Sequence, residues 1–172
     1  MKLKGLAYRA HNPRWAFRPN SGAGAAIHGG RFNRTGTEAL YTSLRLETAW
    51  LEAQQAFPFK AQPLTMCASD VDCADIVDLT DPATLVSFGI AAADLACPWE
   101  DLVDRKAIPP SWALADRLIA AGQAGILVRS FATRASAADV NAVFWRWTDH
   151  PPHRVSVIDD EGRLPVDDSS WR

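Results

Sequence analysis

The apolar and polar positions of this chain switch repeatedly between a period of two and a period near 3.6, which predicts interspersed strands and helices. Leu3 to Arg9 reads as a first strand that ends in Tyr8 and Arg9. Residues 10–37 hold neither period and are rich in Gly, Pro, Asn and Arg. A run this long inside a compact domain is usually functional or disordered. Ala39 to Thr42 predicts a short strand, and Ser43 is placed as the N-cap of a helix running to about Ala56. Phe57-Pro58 ends that helix, and Leu46, Ala49, Trp50 and Ala53 form its predicted apolar stripe. Gln62 to Ala68 and Asp75 to Leu79 read as strands, and Asp81-Pro82 opens a short helix that stops at Gly89. Trp99 to Lys106 has no clear assignment. Pro109-Pro110-Ser111 opens a helix with Leu114, Leu118 and Ala121 on one face and Gly122 as its stop. Gly125 to Phe131, Val140 to Trp147 and Arg154 to Ile158 read as three more strands.

The links between those last strands are too short for helical crossovers. The pattern therefore predicts an α+β domain with a mixed, mainly antiparallel sheet and flanking helices. At 172 residues the chain is expected to form one domain over 1–172, with a core over about 8–147 and a loose polar tail from about residue 160.

Composition narrows the chemistry. Cys67, Cys73 and Cys97 are an odd number without CxxC spacing, which argues against a disulfide framework or a zinc ribbon. His11, His28, His150 and His153 form no HExxH, so a metal site has no support. The N-terminus has no apolar signal core and no run approaches membrane-spanning length, so a cytoplasmic location is expected. Net charge is −2, yet it is unevenly spread. Residues 1–60 hold nine Lys/Arg against three Asp/Glu, a local +6; residues 61–172 hold nine against seventeen, a local −8. A basic, glycine-rich first third suits an anionic ligand with phosphates, unless the asymmetry is only a difference between faces. It is too modest for a duplex DNA-binding face.

The stretch Gly29-Gly30-Arg31-Phe32-Asn33-Arg34-Thr35-Gly36 stands out, because Tyr41 and Glu52 follow it closely. It offers a guanidinium on a flexible loop, a phenol on a strand and a carboxylate on a helix. Such a set could hold a phosphorylated ligand and act on it; the alternative is a glycine-rich turn before an ordinary β–α unit. Glu52 lies on the flank of the helix stripe, about 100° from its centre. It is either a half-buried carboxylate beside a ligand or an exposed helix glutamate. Ser21-Gly22-Ala23-Gly24 lacks the lysine and spacing of a phosphate-binding loop.

Taken together, these residues resemble the RES domain family. Gly30-Arg31-Phe32-Asn33 with Gly36 is similar to that family's arginine loop. Leu40-Tyr41-Thr42 is similar to its strand tyrosine, and Ala49-Trp50-Leu51-Glu52 to its A-x-x-E helix. Gly125-Ile126-Leu127-Val128-Arg129-Ser130 is similar to the strand that ends in its serine. Phe32 stands where tryptophan is expected, and Arg129 where proline is common.

The resemblance implies a compact ADP-ribosyltransferase-like fold whose split sheet surrounds an NAD cleft. It implies a bacterial toxin with a cognate Xre-type antitoxin covering that cleft. The implied activity is transfer of ADP-ribose from NAD, the co-substrate, to a protein such as phosphoribosyl-pyrophosphate synthetase. Consumption of free NAD by a glycohydrolase or phosphorylase is the in-class alternative, and a non-catalytic protein-binding module the alternative outside it. No direct nucleic-acid or membrane partner is implied. By this resemblance Glu52 is the carboxylate near the ribose, Arg31 the pyrophosphate partner, and Tyr41 an aromatic wall with one hydroxyl. Ser130 would bond the ribose or the nicotinamide amide, and Arg9 is a second phosphate or ribose contact.

Overall fold

A computed structural model describes residues 1–55 and 61–171 of the chain. Its frame is one seven-stranded sheet in the order β4-β5-β6-β2-β1-β3-β7. The strands are β1 (Leu3–His11), β2 (Leu40–Ser43), β3 (Thr65–Cys73), β4 (Ile76–Asp78), β5 (Gly125–Arg129), β6 (Val140–Phe144) and β7 (His153–Val157). Every neighbouring pair is antiparallel except β4 and β5. That parallel pair needs a crossover. The chain between them supplies it with α3 (Pro82–Ser87), α4 (Ala92–Leu95), α5 (Trp99–Asp104) and α6 (Pro110–Ala120). Ahead of these lie α1 (Ala23–His28) and α2 (Leu46–Gln54). The mixed, mainly antiparallel α+β architecture is the one that the apolar pattern predicts.

Local chemistry explains the elements. In β3 the residues Cys67, Ser69, Val71 and Cys73 are buried at a strict period of two. The Asp81 carboxylate accepts from the backbone N–H groups of Ala83 and Thr84, and Pro82 sits in the first turn of α3. In α6, Ser111, Leu114, Ala115 and Leu118 recur at helical spacing and are all buried. Strand β5, one in from the edge, is buried on both faces. Ile126 and Val128 pack with Phe32, Leu114 and Leu118 in one cluster, while Leu127 packs with Leu40, Ala142 and Phe144 in another. Each large apolar side chain so enclosed contributes about 1.5–3 kcal/mol.

The sheet is pinched in the middle. β1 pairs with β3 along its whole length, from Leu3↔Cys73 to His11↔Thr65. Its register with β2 is the single pair Tyr8↔Ser43. Beyond that pair the strands diverge, and α2 lies at the opening.

Helix α2 differs from expectation at both its start and its stripe. Ser43 is not its N-cap; it is the last residue of β2, its hydroxyl donates to Asn141, and Arg45 takes the cap position without a capping side-chain hydrogen bond. Of the predicted stripe, Ala49 is buried, whereas Leu46 is 49 % and Trp50 40 % exposed. Thr48 and Ala49 make the buried contact instead, since small side chains let the helix lie close to the sheet. The predicted end at Ala56 to Pro58 lies outside the described residues.

Candidate active site

The loop before β2 is built around Gly30. A Cβ there would meet the Tyr41 hydroxyl at 2.5 Å and Asn33 Oδ1 at 2.7 Å, so only glycine fits. The Phe32 N–H donates to the Tyr41 hydroxyl at 2.9 Å, and that hydroxyl donates onward to Asn33 Oδ1 at 2.8 Å. Asn33 is buried, and its Nδ2 donates to the carbonyls of Ala25 and Thr37, both at 2.8 Å. Two indoles clamp the same backbone: Trp112 Nε1 donates to Gly30 O at 2.7 Å and Trp145 Nε1 to Phe32 O at 2.8 Å. Phe32 itself is a core residue, 2 % exposed. The Tyr41 phenol is thus engaged in holding the loop, and burial pushes its pKa up. It offers the cleft a ring face rather than an acid.

This rigid loop presents Arg31. Its Nη1 donates to Cys97 O at 2.6 Å and Leu95 O at 3.3 Å, and its guanidinium carbon lies 4.4 Å from the Phe131 ring centre. Burial lowers its pKa, and the neighbouring Cys97, Glu52, Tyr41 and Glu100 oppose that shift. One nitrogen carries both backbone bonds, and a guanidinium has five donors, so the fork keeps capacity for a ligand. Arg9, at the diverging end of β1, donates from Nη1 to Pro19 O and Ser21 O at 2.8 Å each. Burial lowers its pKa too, partly offset by Cys67.

Opposite them stands Glu52 on α2, half-buried. Ser130 Oγ donates to Glu52 Oε1 at 2.6 Å. Asn141 Nδ2 donates to the same oxygen, and Gln55 Nε2 donates to Oε2. Helix α2 is pinned one turn earlier. Thr48 Oγ1 donates to Asp139 Oδ1 at 2.5 Å, while the Ser136 N–H and hydroxyl donate to Oδ2 at 2.7 and 2.8 Å. These bonds, led by that of Thr48, hold the Asp139 carboxyl at about 2.

A cleft of about 680 Å³ joins these groups. Arg9, Arg31, Tyr41, Glu52 and Asn141 line it, together with Trp99, Glu100 and Phe131. A neighbouring groove of about 300 Å³ shares Arg9, Tyr41, Glu52 and Asn141. Four of the five residues singled out by sequence therefore line one cleft. The fifth, Ser130, reaches it through its bond to Glu52. Sequence reasoning missed Asn141, Asp139 and the α4–α5 wall. An asparagine in a strand carries no signal, and α4 is too short to show a period. Among the described residues no group of three or more His, Cys, Asp or Glu could hold a metal, and no helix is long and apolar enough to cross a membrane.

Two cations facing a carboxylate held by neutral donors can bind a phosphorylated ligand and stabilise positive charge beside it. Comparison with known proteins agrees with that layout at the level of fold and family. A chain of the crystal structure of the M. tuberculosis MbcT–MbcA toxin–antitoxin complex superposes with a TM-score of 0.65. The two share 18 % identity over 92 % of this chain and 84 % of the other. No curated protein matches the sequence. The sequence model of the RES domain matches residues 6–167, nearly the whole chain and further toward the C-terminus than the residues that carry the resemblance. With the loop arginine, the helix glutamate and the strand serine brought to one cleft, the chain belongs to the RES domain family.

Proposed function

We propose that this protein is an NAD-consuming enzyme that cleaves the bond between nicotinamide and ribose and passes ADP-ribose to a protein acceptor. The observation that carries the reading is Glu52, held by Ser130 and Asn141 in a cleft whose other walls bear Arg31 and Arg9. Cationic nicotinamide is a good leaving group that departs neutral, so the site needs no strong acid. The ribose carbon it leaves gains oxocarbenium character. A fixed carboxylate nearby stabilises that charge and orients the attacking hydroxyl or side chain. Arg31 and Arg9 supply the planar forks that suit pyrophosphate oxygens. Tyr41 supplies an aromatic face for a flat ring, while Phe131 backs the Arg31 guanidinium. Ser130 serves Glu52, and its bond to ribose or amide belongs to the bound state. A cleft of about 680 Å³ is of the size that small-molecule sites take, about 300–1,000 Å³.

The same reading makes the protein the toxin of a toxin–antitoxin pair. The structural likeness to a chain of such a complex supports this. The partner is an Xre-type antitoxin that covers the cleft. The test is mass spectrometry of a bacterial lysate treated with the protein and NAD, with Glu52→Gln as control. One ADP-ribose on a specific protein, absent in the control, supports transfer. Loss of NAD without a modified protein replaces transfer with hydrolysis or phosphorolysis. Neither signal leaves a binding module.

A further inference from the structure

We propose that Asn141 is a positioning residue for Glu52, with its amide oriented by Ser43, and that the pair dedicates Glu52 Oε1 to structure and Oε2 to chemistry. The inference rests on the reading of Glu52 as the reacting carboxylate. Asn141 is the cross-strand partner of Ser43 on β2 and of Val128 on β5. Side chains in a strand alternate, so Asn141 projects from the face that carries Tyr41 and Ser43. Ser43 is 2 % exposed, and its hydroxyl donates to Asn141 Oδ1 at 2.7 Å. That bond turns the amide nitrogen toward Glu52 Oε1. The reverse amide would also set Oδ1 against a carboxylate oxygen, so the Ser43 bond and the Glu52 contact favour the same orientation. Ser130 is aimed in the same way: its Oγ accepts from the Ala132 N–H at 3.1 Å, and its own proton goes to Oε1.

Two oriented neutral donors thus converge on one oxygen. Oε2 accepts from Gln55, an exposed side chain at the C-cap of the same helix that a ligand can displace. A ribose hydroxyl entering the cleft meets Oε2, while Oε1 keeps the carboxylate plane from turning. Preorganisation of this kind acts on the chemical step more than on binding.

The experiment measures nicotinamide release from NAD across pH, with melting curves, for the wild type and four variants. Asn141→Ala is expected to lower kcat about 10–100-fold with KM changed less than about threefold, a loss smaller than that of removing the carboxylate itself. Ser43→Ala is expected to lose about 2–10-fold in the same direction, the scale of one neutral hydrogen bond. Asn141→Asp, nearly isosteric, places a second carboxylate against Oε1; the two then share a proton, and the acid limb of the pH–rate profile moves up by about one unit or more. An unchanged kcat in Asn141→Ala, or an unmoved acid limb in Asn141→Asp, overturns the proposal. Should the wild type release no nicotinamide, or Glu52→Gln match it, the underlying functional reading fails instead. Carboxyl carbon NMR of Glu52, assigned by its loss in Glu52→Gln, then decides the positioning role alone. A Glu52 titration midpoint raised in Asn141→Asp supports it, and an unchanged midpoint overturns it.

Discussion

Thr48 and Asp139 share a 2.5 Å hydrogen bond that ties the helix bearing Glu52 to the turn leading into β6. Both residues are buried, and Glu52 lies one helical turn beyond Thr48. The bond keeps the Asp139 carboxyl at about 2, below its ordinary 3.8. A depressed carboxyl favours the folded state above its unfolded pKa, and that contribution is lost as pH falls through the folded value. Stability is therefore expected to decline between about pH 4 and pH 2. Asp139→Asn is expected to be less stable at neutral pH and to show a weaker decline across that window. Denaturant melts at several pH values check this, and an unchanged acid decline in the variant contradicts it.

Gly30 is closed in by the Tyr41 hydroxyl and Asn33 Oδ1. Gly30→Ala forces the loop off the phenol, and overpacking of this sort costs about 1–3 kcal/mol. Because the loop carries Arg31, activity is expected to fall by more than the folded fraction does. A variant that melts with the wild type and binds NAD equally well would show that the loop has slack.

Arg31 uses a planar fork over Phe131 while bonding the carbonyls of Cys97 and Leu95. Lysine keeps the charge but loses both the fork and the stacking. Arg31→Lys is expected to raise KM for NAD about tenfold or more, the scale of one charge-assisted hydrogen bond. Steady-state kinetics separate this from a pure kcat effect, and an unchanged KM would move the phosphate contact elsewhere.

Trp50 points outward from α2, 40 % exposed, although its spacing predicts a core position. Trp50→Ala is expected to cost less than about 1 kcal/mol, where a core tryptophan costs about 3–5 kcal/mol. Chemical denaturation distinguishes the two figures directly.

Most of the fold was legible because its signals are local. The Asp81-Pro82 pair marks the start of α3, and Pro110 with Leu114 and Leu118 marks α6, whereas the strand read over Gln62 to Ala68 is shifted toward the C-terminus, to Thr65–Cys73. The face of α2 was misread because Trp50 and Leu46 are apolar yet outward, while a polar Thr48 is buried against Asp139. Of the site, the residues on recognisable motifs were legible: Arg31, Tyr41, Glu52 and Ser130. Asn141 was not, because its role comes from cross-strand register with Ser43 across about a hundred residues. The same holds for the Leu95 and Cys97 carbonyls that hold Arg31, since backbone acceptors have no residue identity to read.

The central claim is that Glu52 is the carboxylate around which the reaction is built. Its most direct test is the rate of nicotinamide release from NAD by the wild type and by Glu52→Gln, at matched folded fraction. Removing one preorganised electrostatic partner lowers turnover about 10²–10³-fold, and that is the loss expected. A Glu52→Gln protein that releases nicotinamide at the wild-type rate would contradict the account.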